Sequence, residues 1–217
     1  MPLPALAARA RRHRRDPPRR RRLPRGRGAA RARRGPRVAA RDVFTVGHST
    51  HPLEAFVALV RGAGVEGVAD VRRHPGSRRV PWFAAGALAA SLPAAGLAYD
   101  RLPELGGRRP RRSDSPNGGW ENAGFQGYAD WMATPEFAAG LDRFEALADA
   151  RPTAIMCAEG PWWRCHRRLI ADALVARDRA VVHVMPDGRT VAHELTPFAV
   201  VEGSELTYPP TRPALDL

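Results

Sequence analysis

The chain has 217 residues and a formal net charge of +13, a length that suits one domain with appendages. The charge is uneven: residues 1–41 hold 16 arginines against one acid, Asp16, whereas residues 42–217 hold 19 arginines against 21 acids, so the basicity belongs to the N-terminal segment. All 35 basic residues are arginine and the chain has only two cysteines, which excludes lysine Schiff-base chemistry, a P-loop lysine and a disulfide framework. With no apolar run long enough for a bilayer and no secretory signal, a cytoplasmic protein without membrane partners is expected.

Residues 1–41 have no apolar periodicity and no aromatic residue, so a disordered tail is expected. Its arginines suit a phosphate-binding arm. A start codon placed upstream of the true one, near Val38 or Val43, explains them as well and is the preferred reading.

The folded part begins at Val43, with a strand over Val43 to Val46 and the loop Gly47-His48-Ser49-Thr50. Pro52 opens a helix with Leu53, Phe56, Val57 and Val60 on one face, ending at Gly62 or Gly64. Val65 to Val71 reads as a second strand, followed by the polar loop RRHPGSRRVPW. Phe83 to Ala95 reads as a helix stopped by Gly96, and Leu97 to Leu102 as a third strand. Residues 103–123 form a long irregular loop, which in a compact domain is usually functional or mobile. Helices follow near 125–133 and 135–149, with Thr134 and Pro135 as cap and first-turn residues.

The stretch IMCAEGPWWRCHRRLIADAL, residues 155–174, changes character midway. Its first residues close a strand over Pro152 to Met156. Leu169, Ile170, Ala173 and Leu174 recur at helical spacing, so a helix starts near Arg164. Ala180 to Met185 is a fifth strand, Pro186-Asp187-Gly188 a turn, and Arg189 to His193 a short strand. The segment from about Tyr208 is Pro-rich and expected to be loose.

Strands alternating with helices predict a single open, mostly parallel α/β sheet of about five strands with helices on both faces. The domain spans residues 42–207, with 208–217 as a loose end. In such sheets ligands bind beyond the strand C-termini. The loops Gly47–His51, Asp70–Arg79 and Cys157–His166 should therefore converge on one edge.

Several segments taken together resemble the domain-of-unknown-function 488 family: TVGHST, DVRRHPGSRRVPWF, LPELGGRR, FQGYADWMATPEF and MCAEGPWWRCHRRLIADAL, in that order over roughly residues 43–195. The resemblance implies a bacterial or archaeal α/β protein without a settled activity. The family's recurrent polar residues fall here on His48, Ser49, Asp70, Arg72, Arg78, Arg79, Glu104, Tyr128, Cys157, Glu159, Cys165, His166 and Arg167, among others. A second likeness is to rhodanese-type domains, which also carry D-V-R at one strand end and a cysteine loop between a later strand and a helix. Here Arg164 lies seven residues after Cys157, with Trp162 and Trp163 between, a departure from the usual anion cradle.

The candidate catalytic groups are Cys157, Glu159, Cys165, His166, Asp70 and His48. Cys157 at a strand end can be a nucleophile activated by the following helix and by Arg164 or Arg167, or a buried structural thiol. Cys165 is expected in the first helical turn, as a partner able to resolve an adduct on Cys157. Asp70 and Glu159 are acid/base candidates, although Asp70 also suits orienting Arg72. His183 reads as structural, and His193 approaches the site only if the C-terminal strand folds back. Ser49, Arg72, Arg78, Arg79, Tyr128, Arg164 and Arg167 are the expected ligand-binding residues, since arginine forks hold phosphate or carboxylate. The cysteine and histidine spacing matches no standard zinc motif, and no cofactor or oligomeric state can be named. These features point to a cysteine-dependent enzyme acting on an anionic substrate that contains phosphate or sulfur, nucleotides included. The alternative is a non-catalytic module that binds nucleotide or nucleic acid through arginine and aromatic loops.

Overall fold

A computed structural model describes residues 43–76, 78–203 and 205–210. The expected tail over 1–41 lies outside the described residues, as does the C-terminal segment beyond 210.

Alternation of buried side chains builds the sheet. Six strands, β1 (Val43–Gly47), β2 (Gly67–Asp70), β3 (Ala98–Arg101), β4 (Thr153–Cys157), β5 (Val181–Val184) and β6 (Thr190–Ala192), lie in the order β3-β2-β4-β1-β5-β6. The first five are parallel and β6 runs antiparallel to β5. The short strand expected after the Pro186-Asp187-Gly188 turn thus joins the main sheet and makes six strands rather than five. A separate hairpin pairs β7 (Val200–Glu202) with β8 (Glu205–Thr207).

Because successive strand residues point to opposite faces, the core divides in two. Phe44, Val46, Val68, Ala154, Met156, Val182 and Val184 pack with α1 (Leu53–Gly62) and α2 (Ala85–Ala94). Val43, Ala69, Ile155, Cys157 and Val181 pack with α3 (Ala123–Met132), α4 (Pro135–Ala150) and α5 (Arg167–Val175). Nearly continuous burial of β1, β2, β4 and β5 follows from helices on both faces.

Local chemistry sets the helix ends. Asn122 caps α3 by accepting from the backbone N–H groups of Gly124 and Phe125, and Thr134 caps α4 by accepting from Phe137. Gly96, at φ 71°, turns the chain from α2 into β3, a backbone conformation that costs glycine little. In the cysteine segment, a short 3₁₀ turn occupies Trp162–Arg164 and α5 begins only at Arg167. Cys165 therefore sits just before the cap residue His166 rather than inside the first turn. The register aligns the strand ends that matter: Gly47 faces Cys157, and Asp70 faces Met156. No helix among the described residues is long and apolar enough to cross a membrane.

Tyr208, expected to open a loose end, is instead fully buried. Its N–H donates to Asn117 Oδ1 at 2.9 Å and its hydroxyl to Asp172 Oδ2 at 2.8 Å, which ties residues after β8 to the α5 face. Tyr208→Ala should cost about 3–5 kcal/mol, the range for deleting a buried aromatic side chain, as measured by chemical denaturation. A loss below about 1 kcal/mol would show that this segment anchors nothing.

Candidate active site

The site grows from the meeting of β1, β4 and the start of α5. Gly47 ends β1 where a β-carbon would overlap the Glu159 carbonyl oxygen and crowd the Arg167 guanidinium. Glycine is required by this close approach, not by its dihedrals. Behind it, the fully buried Arg167 donates through Nε to Cys157 Sγ at 3.0 Å and through Nη1 to Thr45 Oγ1 at 3.3 Å. Its Nη2 donates to the carbonyls of Glu159 at 2.5 Å and Gly160 at 2.9 Å. None of these partners is a carboxylate. Arginine stays charged, and a buried charge without an opposite charge is penalised by several kcal/mol.

The sulfurs are the natural counter-charge. Both cysteines are free and buried, with Cys157 Sγ and Cys165 Sγ 2.8 Å apart. Burial pushes the Cys157 thiol well above its ordinary value, and its hydrogen bond with Cys165 pushes the same way. Burial also raises Cys165, but the hydrogen bond from Cys157 and the charge of Arg167 outweigh it and bring Cys165 down to about 7. The two sulfurs therefore titrate as one coupled pair, with Arg167 favouring loss of the first proton and the hydrogen bond between the sulfurs hindering loss of the second. Burial disfavours the Arg167 charge, yet the two sulfurs more than offset it. His166 Nδ1 lies 3.4 Å from Cys165 Sγ. Its ring is held between Gly107, where a β-carbon would come within 2.8 Å of Nδ1, and Tyr128, 5.1 Å between centroids. Burial lowers its pKa, so it is a neutral imidazole, and its Nε2 has no hydrogen-bond partner among the described residues.

A cleft of about 330 Å³ opens over the sulfurs. Its walls include Arg72, Arg73, His74, Arg108, Glu159 and His166. Of the expected site residues, the cleft thus brings together Cys157, Cys165, His166, Glu159 and Arg72, with Arg167 beneath. The Glu159 side chain is exposed, and its hydrogen bonds run through the backbone carbonyl. Arg164 is exposed and does not line the cleft; Arg167, not Arg164, reaches the sulfurs. Arg78 and Arg79 are exposed outside the cleft wall, and Ser49 is half-buried at φ 48°. Tyr128 is buried and spends its hydroxyl on the Leu105 carbonyl at 2.7 Å.

Asp70, Arg72 and His48 form a clamp beside the cleft rather than a set of open groups. Asp70 takes a bidentate fork from Arg72, Nε at 2.8 Å and Nη2 at 2.7 Å, and accepts the Tyr99 hydroxyl at 2.8 Å. Arg72 also donates to the Phe83 carbonyl at 2.8 Å and to His48 Nε2 at 2.9 Å. His48 Nδ1 donates to the Ser49 carbonyl, and its ring stacks on Phe83 at 4.1 Å. Both nitrogens are thereby occupied.

On the other side of Arg167 lie Thr45 and Asp172, which the sequence did not single out, with His183, read there as structural, and His193. Thr45 and His183 are direct partners in the β1–β5 register, and their side chains meet at 2.7 Å. His193 does come close, because β6 folds back along β5 and its Nδ1 reaches His183 Nε2 at 2.9 Å. The available signal was the Pro-Asp-Gly turn before a short strand, which returns the chain antiparallel to β5. Asp172 gave no warning beyond its place on the apolar side of a helix.

His48 is pushed down to about 4 by burial first and then by the Arg72 charge. Its folded value lies below its unfolded value of about 6.5, so its stabilising contribution is full above pH ~6.5 and lost as pH falls towards ~4. A ring-carbon NMR titration should show a neutral Nδ1–H tautomer with no transition between about pH 7 and pH 5. A His48 midpoint near 6.5 would contradict the clamp.

In comparison with known proteins, the family model described as "Domain of unknown function DUF488" aligns with residues 52–174. No curated protein and no solved structure matches the chain. The matched segment runs from the start of α1 to the end of the α5 core and takes in β2, β4, both cysteines and Arg167. The chain belongs to the DUF488 family.

Proposed function

We propose that the cleft is the active site of a cysteine-dependent enzyme acting on an anionic substrate with a phosphate or sulfur centre. The observation that carries this reading is a fully buried arginine with no carboxylate against it among the described residues, donating to one of two adjacent free cysteine sulfurs at a cleft floor. A cysteine held that way near a helix start favours the thiolate, which is the nucleophilic form. Arg73 and Arg108 on the cleft wall have no carboxylate partner among the described residues, and Arg73 Nη1 donates to the Arg108 carbonyl at 3.1 Å. They supply positive charge for a substrate anion, including a nucleotide phosphate, whereas Arg72 is already neutralised by Asp70.

In this reading the Cys165 thiolate forms a bond to the electrophilic phosphorus or sulfur atom. The leaving group departs with the bonding pair and takes the proton from Cys157. Cys157 is left as a thiolate beside Arg167. From a sulfur adduct it can attack Cys165, closing a disulfide as the second fragment leaves with its electron pair. From a phosphoryl adduct, water attacks the phosphorus instead: the Cys165–phosphorus bond breaks with its electron pair returning to Cys165, and the water's proton goes to the Cys157 thiolate, which restores the starting pair.

Iodoacetamide at about pH 7 should alkylate Cys165 in the folded protein, with the adduct located by mass spectrometry. Arg167→Met should slow this about ten-fold, because the thiolate loses its counter-charge. If neither cysteine reacts until the protein is unfolded in urea, the nucleophile reading is wrong.

A further inference from the structure

Arg167 raises a question that the sulfurs alone do not answer. It must be held in one orientation, yet a carboxylate placed against it would cancel the charge the thiolate needs. The side chains behind it solve both problems. Arg167 Nη1 donates to Thr45 Oγ1 at 3.3 Å, and Thr45 Oγ1 lies 2.7 Å from His183 Nδ1. His183 Nε2 lies 2.9 Å from His193 Nδ1, and His193 Nε2 lies 2.8 Å from Asp172 Oδ1. Asp172 also accepts from the Thr196 N–H at 2.9 Å and the Tyr208 hydroxyl at 2.8 Å. Thr45, His183, His193 and Asp172 are all buried.

Simple donor counting fixes the direction of this chain. Arginine only donates, so the Thr45 oxygen accepts from it, and the acceptor that these groups leave for its own buried O–H is His183 Nδ1. His183 then carries its proton on Nε2 and gives it to His193 Nδ1. His193 carries its proton on Nε2 and gives it to Asp172. Every polar atom is matched with both imidazoles neutral. Trp162 lies flat on His183, 4.2 Å between centroids and 7° between planes, and meets His193 edge-on at 5.4 Å, so the rings are fixed by packing too. Burial first, then His193 and Arg167, hold the His183 pKa far below its ordinary value, in keeping with a neutral ring.

We infer that Thr45, His183 and His193 form an uncharged relay, anchored at its far end on Asp172, that positions Arg167 against the two sulfurs without neutralising it. The negative group is set off by two imidazoles and a hydroxyl, so its hold reaches Arg167 as an oriented oxygen rather than as an adjacent charge. These four are positioning residues, as outer partners that orient a metal ligand are, and none touches substrate. The inference rests on the cysteine reading of the cleft and adds what keeps its cation in place.

The test is the pH dependence of iodoacetamide alkylation in the full chain, with folding checked by circular dichroism and thermal melting. In Thr45→Val the guanidinium loses the oxygen that fixes Nη1, and Nε leaves Cys157. The alkylation midpoint should rise by about one pH unit, a fall of about five-fold in rate at pH 7, and Thr45→Ser should restore it. His183→Phe keeps the flat stack on Trp162 but removes both nitrogens, and should shift the midpoint in the same direction; it also serves if Thr45→Val does not fold. A merely structural role would lower the melting temperature of folded variants and leave the midpoint in place, and that result overturns the relay while the cysteine reading stands. If the unmodified protein shows no midpoint below about 8.5, the ordinary cysteine value, the cysteine reading fails and the relay fails with it.

Discussion

The site depends on one electrostatic constraint: a guanidinium that cannot lose its proton is sealed among β1, β4 and α5 with sulfur rather than carboxylate beside it. In water such a charge is hydrated freely. Here its donors are met by the Glu159 and Gly160 carbonyls, the Thr45 hydroxyl and Cys157, and no carboxylate among the described residues lies against it. The same contact organises the cysteine loop, because the Glu159 and Gly160 carbonyls are drawn in to Nη2 and Gly47 has no side chain to obstruct them. The contact made to the Cys157 sulfur and the path of the backbone around it have a common cause.

The surrounding fold keeps the two sides of this arrangement apart. On the α1 and α2 face, Asp70 absorbs the charge of Arg72 and His48 closes the clamp. On the opposite face, Asp172 is buried with His193 and Tyr208 and meets Arg167 only through intervening groups. Two arginines near the cleft thus have opposite fates. Arg72 has its counter-ion in a bidentate fork, and Arg167 does not. The Gly106-Gly107 pair matters for the same geometry: a β-carbon at Gly106 would overlap Arg73 and crowd the Val71 carbonyl, and one at Gly107 would press on His166.

Much of the architecture was legible in the sequence because it is written in short-range pattern. Apolar runs with intervening helical periodicity gave the strands β1 to β5 and all five helices, and Thr134 marks a helix start by chemistry that needs no tertiary contact. Convergence of the loops after β1, β2 and β4 followed from the parallel topology. What was not legible depends on register and side-chain direction. Arg164 and Arg167 look alike in a string of arginines, but Arg164 lies in the 3₁₀ turn before α5 and stays exposed, whereas Arg167 opens α5 and turns inward with Ile170 and Leu174. Thr45 and His183 sit in apolar strands far apart in the chain and become partners only through β1–β5 pairing. Tyr208 follows a hairpin in a Pro-rich segment, and nothing local announces that its ring fills a core position.

The central claim is that Cys157 and Cys165 share one proton under the charge of Arg167. Absorbance at about 240 nm, where thiolates absorb and thiols do not, counts thiolates directly once a Cys157→Ser, Cys165→Ser double variant is subtracted. One thiolate per chain should appear with a midpoint of about 7, and the second should stay absent until well above the ordinary cysteine value of about 8.5. Two thiolates appearing together near pH ~8.5 would contradict the shared proton and the role given to Arg167.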